Sequence, residues 1–358
     1  MKLNPQLDQL PVYHGGRPLE EVARELGLPA ADLIKLASNE NPLGPSPKAI
    51  AAMRDKAAQV HLYPDGNVFY LRQRLAEKLG VTPANLIFGN GSNEIIEFVS
   101  RAVLGPGTNI VVSQYCFAIY PIAAHLAGAD CISVPAKEFG HDLAAIAAAI
   151  TPETRIVFVA NPNNPTGTRA SNDAVMDLVN SVPDEVLLVM DEAYFEFIDD
   201  APDLLPLISK MQNLLVMRTF SKIHGLAGLR VGYGIGHPDF VAALEKIRQP
   251  FNLNAMAQAA ALAALEDDEH VLSTRKNNEV GLRFFENAFS DMGIETVPSY
   301  ANFILAKVCD GKAVFEQLQK IGIITRAMGG YGLPDWIRIS IGTPLENGRC
   351  LAALADLR

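Results

Sequence analysis

Residues 218–230 read Arg218-Thr219-Phe220-Ser221-Lys222-Ile223-His224-Gly225-Leu226-Ala227-Gly228-Leu229-Arg230. They follow an apolar run at residues 214–217, which the pattern predicts to be a buried strand. A lysine at the end of a buried strand is costly to keep charged, because burial removes water from the ammonium group. Burial lowers the pKa of such an amine and suits Lys222 to attack a carbonyl carbon and form a Schiff base. The alternative is a surface loop that carries ordinary cations.

Two more predicted strands end in polar residues. Residues 185–190 lead into Asp191-Glu192-Ala193-Tyr194, and residues 155–160 lead into Asn161-Pro162-Asn163-Asn164-Pro165-Thr166-Gly167. Ligands of open α/β sheets bind beyond the carboxyl ends of the strands, so these side chains and Lys222 are expected at one edge. The set suits pyridoxal phosphate, which needs a lysine for its aldehyde, an acid for its ring nitrogen and donors for its ring oxygen.

From about residue 84, apolar strands alternate with helical stretches. This alternation predicts an α/β fold with a mostly parallel, doubly wound sheet of about seven strands. The predicted strands lie near residues 86–88, 110–113, 131–134, 156–160, 186–190, 214–217 and 231–235. The predicted helices between them lie near residues 93–104, 119–126, 143–150, 173–181 and 240–248.

The remaining segments predict an arm and a second domain. Residues 1–44 are rich in Pro, Gly and Asn and are predicted to form an N-terminal arm, with one short helix near residues 20–26. Residues 45–256 form the predicted large domain, which begins with helices at 48–57 and 69–79. Residues 257–358 form the predicted small α+β domain, with a long charged helix to about residue 292 and strands near 302–306 and 336–341.

Composition excludes several classes of partner. The 358 residues are 49% hydrophobic and 20% charged, and the formal net charge is −10. An acidic balance argues against nucleic acid or an anionic membrane as the main partner. The first residues contain no apolar signal core, and no apolar run approaches the roughly 18 residues of a membrane span. The four scattered cysteines form no CxxC pair and the histidines show no metal-binding spacing, so a cytoplasmic protein without a metal site is expected.

At this point the sequence resembles the fold-type I, class II pyridoxal-phosphate aminotransferases, and among them the histidinol-phosphate aminotransferases. The motifs occur in the family's order and extend from near residue 13 to residue 343. They are residues 36–45 (LASNENPLGP), 63–65 (YPD), 89–94 (GNGSNE), 162–167 (PNNPTG), 191–194 (DEAY), 218–222 (RTFSK), 228–230 (GLR) and 338–340 (RIS).

The resemblance implies a homodimeric aminotransferase of histidine biosynthesis. Glutamate would donate its amino group, leaving 2-oxoglutarate, and imidazole acetol phosphate would be aminated to L-histidinol phosphate. The resemblance makes Lys222 the Schiff-base lysine and the base that moves the substrate proton, with Asp191 at the pyridinium nitrogen. The other implied cofactor contacts are Tyr194 and Asn164 to the ring oxygen, Ser92, Asn93, Ser221 and Arg230 to the phosphate, and Phe117 stacked on the ring.

Further contacts are implied for the substrate and for the second subunit. Tyr63 would reach the cofactor phosphate of the partner subunit, and Tyr13 would line the substrate pocket. Arg338, alone among apolar residues at 336–341, would anchor a carboxylate, and Arg326 would assist it with a phosphate. Asn164 would also contact the substrate.

Some alternatives stay open at the level of sequence. Tyr115 is a second candidate for stacking on the cofactor, because relatives often carry Tyr where this chain has Phe117. The glycines of residues 232–236 are interpreted as close backbone packing and not as a phosphate loop. The rival activities are an aromatic amino-acid or prephenate aminotransferase, a lyase or decarboxylase that uses the same cofactor, and a non-enzymatic cofactor-binding regulator.

Overall fold

The computed structural model describes residues 1–2, 6–7, 10 and 18–357. Tyr13 lies outside the described residues. Within them, no helix is both long enough and apolar enough to cross a membrane.

A seven-stranded sheet forms the centre of the larger part of the fold. Its spatial order is β2-β8-β7-β6-β5-β3-β4, and only β8 runs antiparallel to its neighbours. The mostly parallel sheet predicted from the alternation of apolar strands and helices is therefore confirmed. The strands are β2 (Leu86–Asn90), β3 (Asn109–Ser113), β4 (Asp130–Val134), β5 (Thr154–Ala160), β6 (Leu187–Asp191), β7 (Leu214–Thr219) and β8 (Val231–Gly236).

Helices cover both faces of this sheet. Successive strand residues point to opposite faces, so Leu188 and Val189 belong to two different apolar clusters. One face packs on α2 (Pro47–Ala57), α3 (Phe69–Leu79), α6 (Leu143–Ala148), α7 (Asn172–Ser181) and α9 (Ala255–Ala264). The other face packs on α4 (Ser92–Val103), α5 (Ile119–Leu126) and α8 (Pro238–Glu245). This arrangement is the predicted doubly wound fold.

A second, smaller sheet is formed by the later part of the chain. Its antiparallel order is β12-β13-β10-β9, built from β9 (Thr296–Val297), β10 (Phe303–Lys307), β12 (Arg326–Ala327) and β13 (Trp336–Ser340). Helices α10 (Asp268–Asp291), α11 (Gly311–Lys320) and α12 (Pro344–Asp356) belong to the same region. The predicted α+β character of this part is confirmed.

The arm is attached to this second region. Helix α1 (Leu19–Leu26) precedes β1 (Ile34–Lys35), which pairs in parallel with β11 (Ile323–Ile324). Ile34 and Leu36 enter the apolar cluster between the small sheet and its helices. Helix α9, although predicted beyond the large domain, packs in the core of the seven-stranded sheet. The boundaries at residues 44 and 256 remain predictions.

Helix α12 was missing from the sequence-based prediction. Its start carries a capping box, in which Thr343 accepts from the Glu346 N–H and the Glu346 carboxylate accepts from the Thr343 N–H. Pro344 occupies the first turn, where its missing N–H has no cost. The Thr-Pro-Leu-Glu sequence was a sufficient signal for this helix.

Candidate active site

A cavity of about 400 Å³ opens where the carboxyl ends of the parallel strands meet the arm and the small sheet. Strands β5, β6 and β7 end beside it, as expected for an open α/β sheet. The predicted residues that line it are Ser92, Asn93, Phe117, Asn164, Asp191, Tyr194, Ser221, Lys222, Arg230, Arg326 and Arg338. Segments distant in sequence are thus brought to one place.

Lys222 lies within this cavity, three residues after β7 ends. Burial lowers the pKa of its amine to about 8, and the positive charges of Arg338 and Arg230 act in the same direction. The amine donates a long hydrogen bond of 3.4 Å to the carbonyl of Ser38 and lies 5.6 Å from the centre of the Tyr194 ring. A substantial fraction of the amine is therefore neutral near pH 8, as a nucleophile or a base requires.

Asp191 ends strand β6 and is only 6% exposed. One carboxylate oxygen accepts a 2.6 Å hydrogen bond from the Tyr120 hydroxyl, and the other accepts from the N–H of Ala193 at 3.1 Å. Burial raises the pKa of this carboxyl, and the two hydrogen bonds oppose the rise. Asp191 is thus an oriented, desolvated acid whose charge favours a cationic partner in the cavity.

Sequence analysis did not identify Tyr120. Its ring stacks on Phe158, with centres 4.5 Å apart and planes 3° from parallel. Phe117 meets the same ring edge-on at 5.7 Å and lines the cavity, whereas Tyr115 packs against Phe139 in another cluster. No local sequence signal connects Tyr120 with an acid 71 positions later.

One end of the cavity is built to receive an anion. Ser92 and Asn93 begin helix α4, so their backbone N–H groups have no acceptor within the helix. Arg230 donates to the Ser221 hydroxyl at 3.5 Å and to the Ala227 carbonyl at 3.1 Å, and no described carboxylate forms an ion pair with it. Free N–H groups, a hydroxyl and an uncompensated guanidinium together suit a phosphate.

Two glycines leave the space that this anion site requires. Gly91 has φ +78°, and a Cβ at that position would overlap the guanidinium of Arg230. A Cβ on Gly232 would overlap the backbone at the start of α4. The interpretation of Gly232 as close backbone packing is confirmed, and this packing holds α4 against β8.

Two further arginines line the cavity. Arg338 is 7% exposed, and its guanidinium donates to the Asn164 side-chain oxygen at 2.6 Å and to the Ala37 carbonyl at 2.9 Å. Arg326 lies directly opposite Arg338 in the antiparallel pairing of β12 with β13. Opposite residues of an antiparallel pair share one face of the sheet, so both guanidinium groups serve the same cavity.

The arm supplies wall residues that sequence analysis did not single out. The Ala37 carbonyl accepts from Arg338, and the Ser38 carbonyl accepts from Lys222. The Asn39 amide donates to the Tyr194 hydroxyl at 2.9 Å. Burial raises the pKa of Tyr194 to about 12, so its hydroxyl stays protonated at neutral pH. The 36–45 motif was noted in the sequence, but nothing local related Asn39 to Tyr194, which lies 155 residues away.

Tyr63 does not belong to the cavity of its own chain. Its side chain is 84% exposed and stacks on Phe251 at 4.8 Å, beside a separate surface depression. The structure therefore brings together the described candidates except Tyr63 and the alternative stacking candidate Tyr115.

Glu192 has a structural contact that the sequence did not indicate. Its carboxylate accepts from the Arg218 guanidinium at 2.8 Å, with both side chains buried. The guanidinium also lies 3.7 Å above the centre of the Phe195 ring. This buried ion pair joins the end of β6, where Asp191 lies, to the end of β7, three residues before Lys222.

Comparison with known proteins agrees with this geometry. The family model for aminotransferase class I and II matches residues 31–354. The histidinol-phosphate aminotransferase of Akkermansia muciniphila is 52% identical over 355 residues, which cover 99% of this chain and 98% of that protein. This chain belongs to the class I and II aminotransferases, in the histidinol-phosphate aminotransferase family.

Further relatives in the family support the same placement. Histidinol-phosphate aminotransferase 1 of Thiobacillus denitrificans is 48% identical, over 99% of this chain and 92% of that protein. The crystal structure of the Sinorhizobium meliloti histidinol-phosphate aminotransferase in complex with pyridoxal-5'-phosphate has a TM-score of 0.92 and 28% identity. That comparison covers 100% of this chain and 98% of the other. The fold-type I aminotransferase fold is confirmed.

Proposed function

We propose that this aminotransferase moves an amino group between L-glutamate and imidazole acetol phosphate, forming 2-oxoglutarate and L-histidinol phosphate. The observation that carries the proposal is the arrangement of charges in one cavity. A lysine with a lowered pKa lines one cavity together with an anion site at Arg230 and a second anion site at Arg326 and Arg338. One anion site suits a cofactor phosphate and the other suits an anionic substrate.

The residues present fit pyridoxal 5'-phosphate as the cofactor. Gly91 leaves space for the Arg230 guanidinium beside the helix start, and Asp191 offers a buried carboxylate in the same cavity. Ser92, Asn93, Ser221 and Arg230 would hold the phosphate, Asp191 the ring nitrogen, and Asn164 and Tyr194 the ring oxygen. When bound, the cofactor supplies an aldehyde that accepts amino groups and a ring that stabilises negative charge at the substrate carbon.

The protein supplies the positioning and the proton chemistry. Lys222 Nζ is the base that takes the proton from the substrate carbon, because its pKa of about 8 leaves it ready to exchange protons. The Asp191 carboxylate favours a protonated ring nitrogen, since burial strengthens their mutual attraction. Phe117 lines the cavity, and stacking on the ring of the cofactor would require no hydroxyl.

Arg338 and Arg326 are the proposed substrate anchors. A glutamate carboxylate is satisfied by one bidentate guanidinium, whereas a phosphate has three acceptor oxygens and up to two charges. We assign Arg338 to both substrates and Arg326 mainly to the phosphate. Tyr13 is retained as a candidate contact to the substrate.

A homodimer with shared sites is the proposed assembly. Tyr63 lies in an exposed apolar patch, defined by Val60, Leu62, Tyr63, Phe69 and Tyr70, each more than half exposed. A patch of large apolar side chains is typical of a protein interface. A second copy covering it would bring Tyr63 towards the partner's cofactor phosphate. A cytoplasmic location is also proposed, supported by four free cysteines.

A panel assay tests the proposal. The purified enzyme is given glutamate as donor and a set of acceptors that includes imidazole acetol phosphate, phenylpyruvate, 4-hydroxyphenylpyruvate and prephenate. The expected result is the highest kcat/KM with imidazole acetol phosphate. A higher value with an aromatic keto acid or with prephenate would replace this assignment by the alternative activity.

A further inference from the structure

Asn39 joins the arm to both sheets through one buried network. Its side-chain amide nitrogen donates to the Tyr194 hydroxyl at 2.9 Å, and its side-chain oxygen accepts from the Ser340 hydroxyl at 3.0 Å. Its backbone N–H donates to the same Ser340 oxygen at 2.8 Å. All three residues are at most 3% exposed, so bulk water does not compete for these bonds.

The donors and acceptors in this network permit one arrangement. A backbone N–H can only donate, so the Ser340 oxygen accepts from Asn39, and its single proton goes to the Asn39 side-chain oxygen. That bond fixes the orientation of the amide and turns its NH₂ group towards Tyr194. Because an NH₂ group can only donate, Tyr194 is the acceptor in this contact.

The proton of the Tyr194 hydroxyl is therefore not used by Asn39. No acceptor for it is present among the residues that the structure describes, although the side chain is 2% exposed and lines the cavity. Because the hydroxyl lines the cavity, its proton is available to a ligand bound there.

The backbone at Asn39 is held in place independently. Its φ is +54°, a left-handed conformation that asparagine tolerates better than most residues. Its carbonyl accepts from the Asn302 side chain at 3.0 Å. The amide is thus presented to Tyr194 by a rigid turn.

We propose that Asn39 is a positioning residue, which directs the Tyr194 proton into the cavity towards the ring oxygen of the cofactor. This inference rests on the proposed function. A hydrogen bond donated to that oxygen stabilises its deprotonated form, so Asn39 acts on the bound cofactor through Tyr194.

The test is a pH titration of the visible absorption of the holoenzyme. Asn39→Asp keeps the side-chain shape but replaces the NH₂ group by an oxygen, which accepts the Tyr194 proton and turns it away from the cavity. We expect the pKa of the bound chromophore to rise by about one pH unit or more. Asn39→Ala leaves that proton pointing into the cavity, so its shift should be smaller.

A Tyr194→Phe background separates positioning from other effects. The added charge of Asn39→Asp acts on the chromophore with or without the tyrosine. The shift of the chromophore pKa is therefore measured both with Tyr194 present and in Tyr194→Phe. We expect the shift to be larger, by about half a pH unit or more, when Tyr194 is present. Ser340→Ala adds no charge and should raise the chromophore pKa only when Tyr194 is present.

Controls make each outcome decisive. Asn278→Asp alters another buried asparagine, whose amide donates to the Ala301 carbonyl outside the cavity, and should not shift the chromophore. Equal shifts in both backgrounds, or a larger shift in Asn39→Ala than in Asn39→Asp, would overturn the inference. If Asn39→Asp does not fold, the chromophore shift caused by Ser340→Ala, measured with Tyr194 present and in Tyr194→Phe, decides in the same way. A wild-type protein without a visible band would instead overturn the proposed function.

Discussion

Arg326 and Arg338 lie directly opposite each other on neighbouring antiparallel strands of the small sheet. Opposite residues in such a pair have their Cα atoms only about 4.5–5.5 Å apart, and like charges on directly opposite residues are destabilising. The arrangement is retained at the edge of a cavity that also contains Lys222. An anion between the two guanidinium groups removes the repulsion, so the pair is organised for an anionic substrate.

Replacing each arginine should affect the two half-reactions differently. Arg326→Ala should slow the reaction with histidinol phosphate about 10- to 100-fold more than the reaction with glutamate, because a phosphate loses a charge-assisted bond worth about 1.5–3 kcal/mol. Arg338→Ala should slow both half-reactions. Single-turnover rates of each half-reaction distinguish these cases. The exposed Arg101→Ala serves as control, and equal losses with both substrates in Arg326→Ala would contradict the assignment.

Borohydride should attach the cofactor to one peptide. The purified enzyme should show a visible absorption band that borohydride removes, because Lys222 is the one lysine among the described residues that line the cavity. Peptide mapping should then find the cofactor on the peptide that contains Lys222. If peptide mapping instead finds the cofactor on another lysine, such as the exposed Lys210, the assignment of Lys222 is refuted.

The lowered pKa of Lys222 should also appear in stability. The folded-state pKa of about 8 lies below the ordinary 10.5, so folding carries the cost of a buried charge below pH 8, and the cost disappears as pH rises to 10.5. In cofactor-free protein, Lys222→Met should therefore raise the free energy of unfolding by about 1–2 kcal/mol at pH 7, a value reduced from the full shift because the cavity is open.

The pH dependence provides the check on that substitution. Urea denaturation should show the advantage of Lys222→Met shrinking between pH 8 and 10.5. Lys210→Met is the matched control, since its exposed amine should make no comparable difference. An advantage that is constant with pH would indicate a packing effect and not a shifted pKa.

A methyl group at Gly91 should displace Arg230. Gly91→Ala forces a side chain into left-handed backbone and into the guanidinium, so cofactor affinity should fall about 10-fold or more. Gly107→Ala has φ +81° with open space around it, and it should lose about 1–2 kcal/mol of stability without loss of affinity. Cofactor titration and thermal unfolding of both variants separate strain from displacement, and equal affinities would refute this role of Gly91.

Mixed dimers should locate the site in which Tyr63 acts. Tyr63→Ala is expected to weaken cofactor binding, and Lys222→Ala is expected to be inactive. If Tyr63 serves the partner's cavity, a dimer with one chain of each kind has one intact site and regains activity. If it serves its own chain, neither site is intact. Activity measured at limiting cofactor after mixing therefore decides between them, with each variant alone as control.

The sequence by itself determined the main features of the fold and many of the candidate site residues. Runs of strand length predicted all seven strands of the large sheet. Strands such as β3, β6 and β7 are buried on both faces, which requires apolar residues along the strand, whereas the edge strand β4 is mostly exposed. Asp191 and Lys222 could be placed at one edge, because the carboxyl ends of parallel strands converge.

Only the tertiary structure decided which side chains touch. The contact of Tyr120 with Asp191, the network of Asn39 with Tyr194 and Ser340, and the opposition of the two arginines all depend on strand register and on where the arm lies. These contacts join positions 71, 155 and 301 residues apart. Local patterns report burial and backbone preference within a few turns, and they contain no information on how distant segments align.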